Sequence, residues 1–343
     1  MRKMTLKNSR VIGDNEKPYI IAEVNSSHNG DIEVAKEMIR AAKDAECDCV
    51  KFQSWSPESI NSKNFYEENP IAKRFYKKFA LTGEQLIEVA QYCKELGMDF
   101  SSTPYSREEV DFLINDCQAP FVKIASMELN NLKYIEYIAK TGTPVVLSTG
   151  MGDIEEVRKA VEVIKATGNT NLCILHCISI YPPEIETIRL NNILGLQEEF
   201  PQYAIGFSDH SIGVEIPTAA IALGACLIEK HLTLDKNKIG MDNQVAAEPE
   251  EMKEMVKNCH NVYKALGGKD RIVMDAELEQ RTKMRRSVIA SRDLKAGETI
   301  ALSDLDVKRP GTGIAPELMD SLVGKVLARD VEADKLVSME DFN

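Results

Sequence analysis

Residues 206–235 read GFSDHSIGVEIPTAAIALGACLIEKHLTLD, and this stretch holds two of the five histidines of the chain. His210 follows the apolar run 204–207, and His231 follows a second apolar run at 225–228. Residues 212–224, which lie between them, have the composition of a helix. If both runs are parallel strands joined by that helix, the two histidines lie at the same end of neighbouring strands. The spacing indicates half of a divalent metal site, although two unrelated histidines that end strands fit the pattern equally well.

The same alternation of a short apolar run and a longer amphipathic stretch repeats along the first 270 residues. Eight such runs have the near-continuous apolar character of parallel strands buried on both faces: 19–24, 49–53, 99–103, 121–126, 144–149, 173–177, 204–208 and 225–231. Capping residues predict where four intervening helices begin, at Asp31, Thr82, Ser106 and Asp153. The repeats predict a (β/α)8 barrel over residues 1–270. A doubly wound open sheet is the second possibility, but no GxGxxG motif follows the first run.

The composition excludes several classes of protein. Hydrophobic residues make up 43% of the chain and charged residues 28%, which is typical of a globular protein. The net charge of −12 argues against a nucleic-acid binder. The basic N-terminus lacks the apolar segment of a signal peptide, and no run approaches the roughly 20 residues of a membrane span. We therefore expect a cytoplasmic protein.

The eight cysteines lie mostly in or beside apolar runs, where a free thiol behaves as a small buried hydrophobe. Their spacing is not that of a structural zinc site. His176, beside Cys177, is a possible third metal ligand, although packing within a buried strand is the better interpretation.

Polar side chains stand at the ends of all eight runs. In a barrel these ends meet at the C-terminal mouth, where active sites lie. Lys51 and Lys123 lie inside otherwise apolar runs, and a lysine in a buried mouth needs an anion to offset its desolvation. Two lysines among serine and threonine hydroxyls match a ligand that carries a phosphate and a carboxylate, and phosphoenolpyruvate is the simplest such metabolite. Pyruvate bound to one lysine as a Schiff base is the competing chemistry.

The tail of the chain has a different pattern. Residues 271–286 form a charged linker that contains a predicted helix from residue 275. Residues 287–343 contain short alternating runs at 287–291, 299–302, 305–308, 322–327 and 336–338, separated by turn residues. They predict a small, mostly β domain that is marginally stable alone. Arg309 lies in the rigid turn KRPGTG, which suits a side chain reaching into another site, and a solvated loop arginine is the alternative.

Nine segments spread over nearly the whole length closely resemble the sialic acid synthase family, which includes N-acetylneuraminate, legionaminate and pseudaminate synthases. They are IAEVNSSHNGD (21–31), VKFQ (50–53), STP (102–104), VKIASMELNN (122–131), LSTGM (147–151), HCISIYP (176–182), GFSDHSIG (206–213), EKHLTLDK (229–236) and VKRPGTGI (307–314). The resemblance implies a (β/α)8 TIM barrel followed by a small antifreeze-protein-like (SAF) domain. It also implies a metal-dependent transferase that condenses phosphoenolpyruvate with an N-acetylated hexosamine.

The favoured acceptor is N-acetylmannosamine, which would give N-acetylneuraminate and phosphate. A 2,4-diacetamido-6-deoxy hexose, leading to a legionaminate- or pseudaminate-type product, is the alternative. The chain departs from the family pattern at Ser179, where asparagine is common, and at Asn243, where histidine is common. Both departures lie in the region that faces the sugar, so they bear on the acceptor more than on the reaction.

The resemblance also assigns roles to residues. His210 and His231 would hold Mn²⁺, Mg²⁺ or Co²⁺, and Glu23 would act as the acid/base group. Arg309 would reach the sugar pocket of the other subunit in a domain-swapped homodimer. The phosphoenolpyruvate shell would be Lys51, Thr103, Lys123, Ser126, Ser148 and Ser208, and the sugar contacts would be Gln53, Tyr181 and Asp242.

Overall fold

A computed structural model describes residues 1–343, and the chain divides into two compact units, Met1–Gly267 and Gly268–Asn343. No helix is both long enough and apolar enough to span a membrane. The first unit has ten strands: β1 (Lys3–Thr5), β2 (Val11–Gly13), β3 (Tyr19–Asn25), β4 (Cys49–Ser54), β5 (Asp99–Pro104), β6 (Val122–Ile124), β7 (Val145–Ser148), β8 (Leu172–Cys177), β9 (Ala204–Asp209) and β10 (Leu227–His231).

Strands β3 to β10 form one parallel barrel, and each comes from one of the eight predicted apolar runs. The hydrogen-bonded order is β5-β4-β3-β10-β9-β8-β7-β6, so the last strand pairs with the first. At the remaining junction, Ser101 Oγ of β5 donates to the carbonyl of Phe121, just before β6, at 3.0 Å. The predicted TIM barrel is confirmed. The open doubly wound sheet is wrong, because its first and last strands would not pair.

Helices connect the strands and cover the barrel. They are α1 (Ile32–Asp44), α2 (Pro57–Ile60), α3 (Lys63–Glu68), α4 (Pro70–Phe79), α5 (Gly83–Glu95), α6 (Arg107–Asn115), α7 (Leu132–Lys140), α8 (Ile154–Ala166), α9 (Ile185–Ile188), α10 (Asn192–Glu199), α11 (Glu215–Ala222) and α12 (Pro249–Leu266). The four predicted caps are confirmed, since the side chains of Asp31, Thr82, Ser106 and Asp153 each accept a backbone N–H of the first turn. The helix after β9 begins later than predicted, because Gly213 has φ +92° and interrupts helical geometry.

An antiparallel hairpin of β1 and β2, which the sequence did not predict, precedes the barrel. Its side chains Met4, Leu6 and Ile12 are buried. They pack with Tyr19 and Phe121, which stand at the N-terminal ends of barrel strands. The hairpin therefore closes the N-terminal end of the barrel interior.

The second unit contains helix α13 (Asp275–Met284) and the antiparallel strands β11 (Ser287–Ala290) and β12 (Leu305–Lys308). The alternating runs at 299–302, 322–327 and 336–338 do not form continuous strands. They form only isolated bridges, such as Thr299 with Val326 and Ile289 with Leu336. Short 3-10 helices and turns carry their side chains into one small core, which includes Ile300, Leu322, Leu327 and Val337.

Candidate active site

The C-terminal mouth of the barrel holds a cavity of about 340 Å³. Twelve of the predicted site residues line it: Glu23, Lys51, Gln53, Thr103, Lys123, Ser126, Ser148, Tyr181, Ser208, His210, His231 and Asp242. They come from the ends of all eight barrel strands and the loops that follow. Arg309 is exposed and belongs to the second unit. The barrel therefore gathers residues that are up to 219 positions apart in the chain, from Glu23 to Asp242 (242 − 23).

Two lysines and two glutamates form a buried cluster in the cavity. Lys51 Nζ contacts Glu23, lies 3.7 Å from Glu229 Oε2 and donates to Thr103 Oγ1 at 3.0 Å. Lys123 Nζ lies 3.3 Å from Glu229 Oε1. The side chains of both lysines and both glutamates are at most 5% exposed. Glu229 is thus the shared counter-charge of the two lysines.

The two glutamates of this cluster have opposite pKa shifts. Burial raises the pKa of Glu23 to about 7. The Lys51 ammonium opposes this shift, and the charge of Glu229 reinforces it. Burial would also raise the pKa of Glu229, but the charges of Lys123 and Lys51 outweigh it and lower that pKa to about 2. Near neutral pH, Glu229 is a fixed anion, whereas Glu23 can take up or release a proton. Of the two glutamates, Glu23 therefore has the pKa that suits proton exchange near neutral pH.

His210 and His231 meet at the side of this cluster. Their ring centroids are 5.4 Å apart, and Tyr181 stacks on His210 with a centroid distance of 4.0 Å. Burial lowers the pKa of both imidazoles, so both are neutral at pH 7. His210 Nδ1 lies 2.7 Å from the carbonyl of Ile178. Because a carbonyl only accepts, Nδ1 carries the proton and the lone pair is on Nε2.

This arrangement fits a divalent metal. Neutral imidazoles are metal ligands, and a second ring nitrogen anchored on a backbone carbonyl is the usual support for such a ligand. Asp242 Oδ2 lies 3.8 Å from His231 Nδ1, so a carboxylate stands beside the pair. Two histidines leave positions for oxygen ligands from water or substrate, as in open catalytic sites.

A hydrogen-bonded chain of side chains lies next to Glu23. The Tyr105 hydroxyl donates to Gln53 Oε1 at 3.0 Å, and Gln53 Nε2 donates to Glu23 Oε1 at 3.2 Å. On the other side, the Asn25 amide contacts Asp242. These contacts orient the polar groups that face the cavity.

Several cavity residues are not evident from the sequence. Glu229 was visible at a strand end, but its role as counter-ion depends on which lysines approach it. Tyr105 comes two residues after Thr103, so a wider window around the strand end would have included it. Much of the remaining wall is apolar and comes from Trp55, Ile60, Tyr76, Met127, Met151 and Met241. No spacing signal marks those side chains, because they lie in loops and short helices.

The structure also locates the residues on which the sequence was ambiguous. His176 does not line the cavity: its Nε2 lies 2.6 Å from the carbonyl of Ile188, and its ring stacks on Phe207. Ser179 lines the cavity. Asn243 is buried, accepts the Ser27 hydroxyl at 2.5 Å and is held in its own loop. Of the two departures from the family pattern, only Ser179 therefore faces the cavity directly.

Residues 38–271 match the model of the NeuB family, and residues 285–343 match the SAF domain. An uncharacterized protein of Methanocaldococcus jannaschii is 40% identical, with 97% of each chain covered. An N,N'-diacetyllegionaminic acid synthase of Legionella pneumophila is 37% identical, with 92% of each chain covered. A crystal structure of the N-acetylneuraminic acid synthetase of Leptospira borgpetersenii, in complex with citrate, has a TM-score of 0.75 at 32% identity and covers 81% of this chain and 95% of that one.

Proposed function

The chain belongs to the NeuB family, and on that premise we propose that it condenses phosphoenolpyruvate with the open-chain aldehyde of an N-acetylated hexosamine. The products would be a nine-carbon 2-keto sugar acid and phosphate. With N-acetylmannosamine, the favoured acceptor, the product is N-acetylneuraminate. The observation that carries the proposal is the single cavity that joins two buried lysines to two neutral histidines.

The two lysines suit a reactant with several negative charges. Lys51 and Lys123 are held apart by Glu229, so each can neutralise one end of phosphoenolpyruvate. Ser148 Oγ is buried in the cavity without a hydrogen-bond partner. A buried hydroxyl without a partner is costly, and a bound phosphate or carboxylate oxygen would satisfy it.

The reaction forms one C–C bond and one C–O bond, the latter to water, and breaks the C–O bond to phosphate. The C3 carbon of phosphoenolpyruvate attacks the aldehyde carbon, positive charge develops at C2, and water adds there. The aldehyde oxygen gains a proton and the water loses one, so a group that can exchange protons is needed. With a pKa near 7, Glu23 can accept the proton from the water. In the resulting phosphohemiketal, the bond between C2 and the phosphate oxygen breaks as the C2 hydroxyl loses its proton. Phosphate leaves with that proton, and the 2-keto acid remains.

His210 and His231 would hold the divalent cation, Mn²⁺, Mg²⁺ or Co²⁺, beside Asp242. When bound, the cation would act as a Lewis acid that polarises the aldehyde carbonyl. The buried, neutral state of both imidazoles and the anchored Nδ1 of His210 support this role.

A second acceptor is supported by the apolar part of the wall. Trp55, Ile60, Met127, Met151 and Met241 offer little to a sugar rich in hydroxyls. A 2,4-diacetamido-6-deoxy hexose carries an extra acetamido methyl and a C6 methyl, and burying each of these contributes about 0.8 kcal/mol or more. The legionaminic acid synthase among the relatives is consistent with this acceptor. A panel of acceptor sugars, with products identified by mass, distinguishes the two.

The test of the reaction is phosphate release from phosphoenolpyruvate. Release should require both an N-acetylated hexosamine and Mn²⁺, and EDTA should abolish it. His210→Ala should be inactive, whereas His260→Ala, which removes a histidine of α12 outside the cavity, should retain activity. Release that persists in EDTA, or no turnover with any acceptor of the panel, contradicts the proposal.

A Schiff-base pyruvate aldolase is the alternative of another reaction class. Burial favours the neutral amine of Lys51, but the charges of Glu229 and Glu23 outweigh it and raise the pKa of that lysine. Schiff-base formation needs a neutral amine, so this environment disfavours it. Borohydride trapping of pyruvate on Lys51 or Lys123 would reverse this conclusion.

The proposal includes a domain-swapped homodimer in which the partner's Arg309 completes the sugar pocket. In its own unit Arg309 is exposed and lies in a turn beside Pro310. Arg309→Ala should lower activity with little change in stability. Mixed dimers of Arg309→Ala with His210→Ala chains should recover part of the activity, and the absence of rescue in proven mixed dimers contradicts the exchange.

A further inference from the structure

A buried ion pair on the outer face of β9 and β10 is not used by the proposed reaction. Asp209 and Lys230 are partners in the register of these strands, and Lys230 Nζ lies 2.5 Å from Asp209 Oδ2. Their side chains are 1% and 2% exposed. Neither side chain lines the cavity. The residues directly before and after each of them do, namely Ser208, His210, Glu229 and His231. The pair therefore lies behind the wall that carries the histidines.

The same pair holds the backbone that follows His210. The Ser211 N–H donates to Asp209 Oδ1 at 2.9 Å, and Lys230 Nζ donates to the Ser211 carbonyl at 2.8 Å. Both polar groups of that peptide backbone are thus fixed by the pair. The imidazole itself is fixed separately, through the contact between its Nδ1 and the carbonyl of Ile178.

We propose that Asp209 and Lys230 are positioning residues for the histidine pair, an inference that rests on the proposed role of His210 and His231 in binding a metal. A buried ion pair adds little net stability compared with apolar side chains of similar size, so stability alone does not account for this one. Asp209 precedes His210, and Lys230 precedes His231. A bond between them sets the distance between the two strands at the level where the two imidazoles leave the backbone.

The consequence is a preorganised pair of ligands. Changes in the groups that support metal ligands typically weaken metal binding by about 10- to 100-fold. The replacement Asp209→Asn with Lys230→Met removes both charges together, so neither is left buried without its partner. It keeps an oxygen for the Ser211 N–H but loses the side-chain contact between residues 209 and 230.

The test measures Mn²⁺ binding to the full chain by calorimetry, without substrates, alongside thermal unfolding. We expect the double variant to unfold cooperatively and to bind Mn²⁺ about 10- to 100-fold more weakly than the wild type. The matched control is Ile228→Val, which removes a buried methyl from the outer face of the same strand. It should lower stability and leave Mn²⁺ affinity unchanged, which separates positioning from a general loss of stability.

Unchanged Mn²⁺ affinity in the double variant would overturn the positioning role, provided that the wild type binds Mn²⁺ and His210→Ala does not. If the wild type fails to bind, or if His210→Ala binds equally well, the proposed metal site fails and this inference fails with it. Should the double variant not fold, Asp209→Asn alone gives the same decision. It preserves the shape of the side chain, and we expect weaker Mn²⁺ binding and an altered absorption spectrum of bound Co²⁺.

Discussion

Replacing Glu229 by glutamine should destabilise the free protein and strengthen its binding of anions. The substitution keeps the shape of the side chain and can keep the contact with the Ser208 hydroxyl, which lies 2.9 Å from Oε1. It removes the one negative charge shared by Lys51 and Lys123. Lys51 keeps Glu23 as a partner, whereas Lys123 has no other salt bridge. The main cost is therefore a buried lysine left without a counter-charge.

The magnitude follows from the pKa of Glu229. Its fall from 4.5 to about 2 on folding corresponds to about 3 kcal/mol of stability, at about 1.4 kcal/mol for each tenfold change in proton affinity. Because the folded pKa is the lower one, this stability is fully present above pH 4.5 and is lost as the pH falls toward 2. Loss of the Glu229 charge also lowers the pKa of Glu23, whose ionised form then returns part of the cost. We expect a net loss of about 2 to 3 kcal/mol at pH 7.

The assay is urea unfolding of the wild type, Glu229→Gln and the control Glu254→Gln, an exposed carboxylate of α12. The difference in the free energy of unfolding between the wild type and Glu229→Gln should shrink with falling pH, because the protonated glutamate resembles glutamine. Less than about half of this difference should remain at pH 3. Calorimetry should show tighter binding of inorganic phosphate, because the Lys123 ammonium no longer has Glu229 as its counter-charge. A deficit below about 1 kcal/mol at pH 7, or one independent of pH, would refute the assignment of Glu229 as the shared counter-ion.

Three further substitutions test other parts of the barrel. Ser148→Ala should raise the KM for phosphoenolpyruvate while stability stays equal or rises by about 1 kcal/mol, because a buried hydroxyl without a partner is removed; lower stability with unchanged KM would contradict this. Tyr105→Phe should reduce kcat/KM for the acceptor about fivefold through loss of the bond to Gln53, with the KM for phosphoenolpyruvate unchanged in steady-state kinetics. Met4→Ala should cost about 2 to 5 kcal/mol in urea unfolding, and a smaller cost would mean that the hairpin does not seal the barrel.

The barrel could be predicted because its local signals agree with its packing. Strands buried on both faces read as continuous apolar runs, and capping side chains mark where helices such as α5 and α8 begin. The hairpin at residues 3–13 escaped prediction because three-residue strands carry no periodicity. In the tail, the alternating residues predict a mostly β domain, but a domain this small buries many of them through turns and 3-10 helices rather than through extended ladders.

The sequence predicts which residues line the site but not which of them contact each other. A residue at the end of a barrel strand faces the mouth whatever its partners are, so Lys51, Lys123 and His210 could be placed from sequence. The pKa of a buried group, in contrast, depends on distances of a few ångströms to charges on other strands. Glu23 and Glu229 are both glutamates in barrel strands, and their positions relative to the two lysines give one a pKa of about 7 and the other a pKa of about 2.

The alternation of side chains along β9 and β10 also determines which residues lie outside the cavity. Successive side chains of β9 and β10 point to opposite faces of the sheet. The cavity residues therefore lie on one face and the buried ion pair on the other. The motifs SDH (208–210) and EKH (229–231) therefore each combine two cavity residues with one support residue. Calling every polar residue of such a motif catalytic would assign Asp209 and Lys230 to the wrong face. Their charges meet each other 2.5 Å apart, and the proposed contribution to the reaction is the geometry that this contact imposes on the neighbouring histidines.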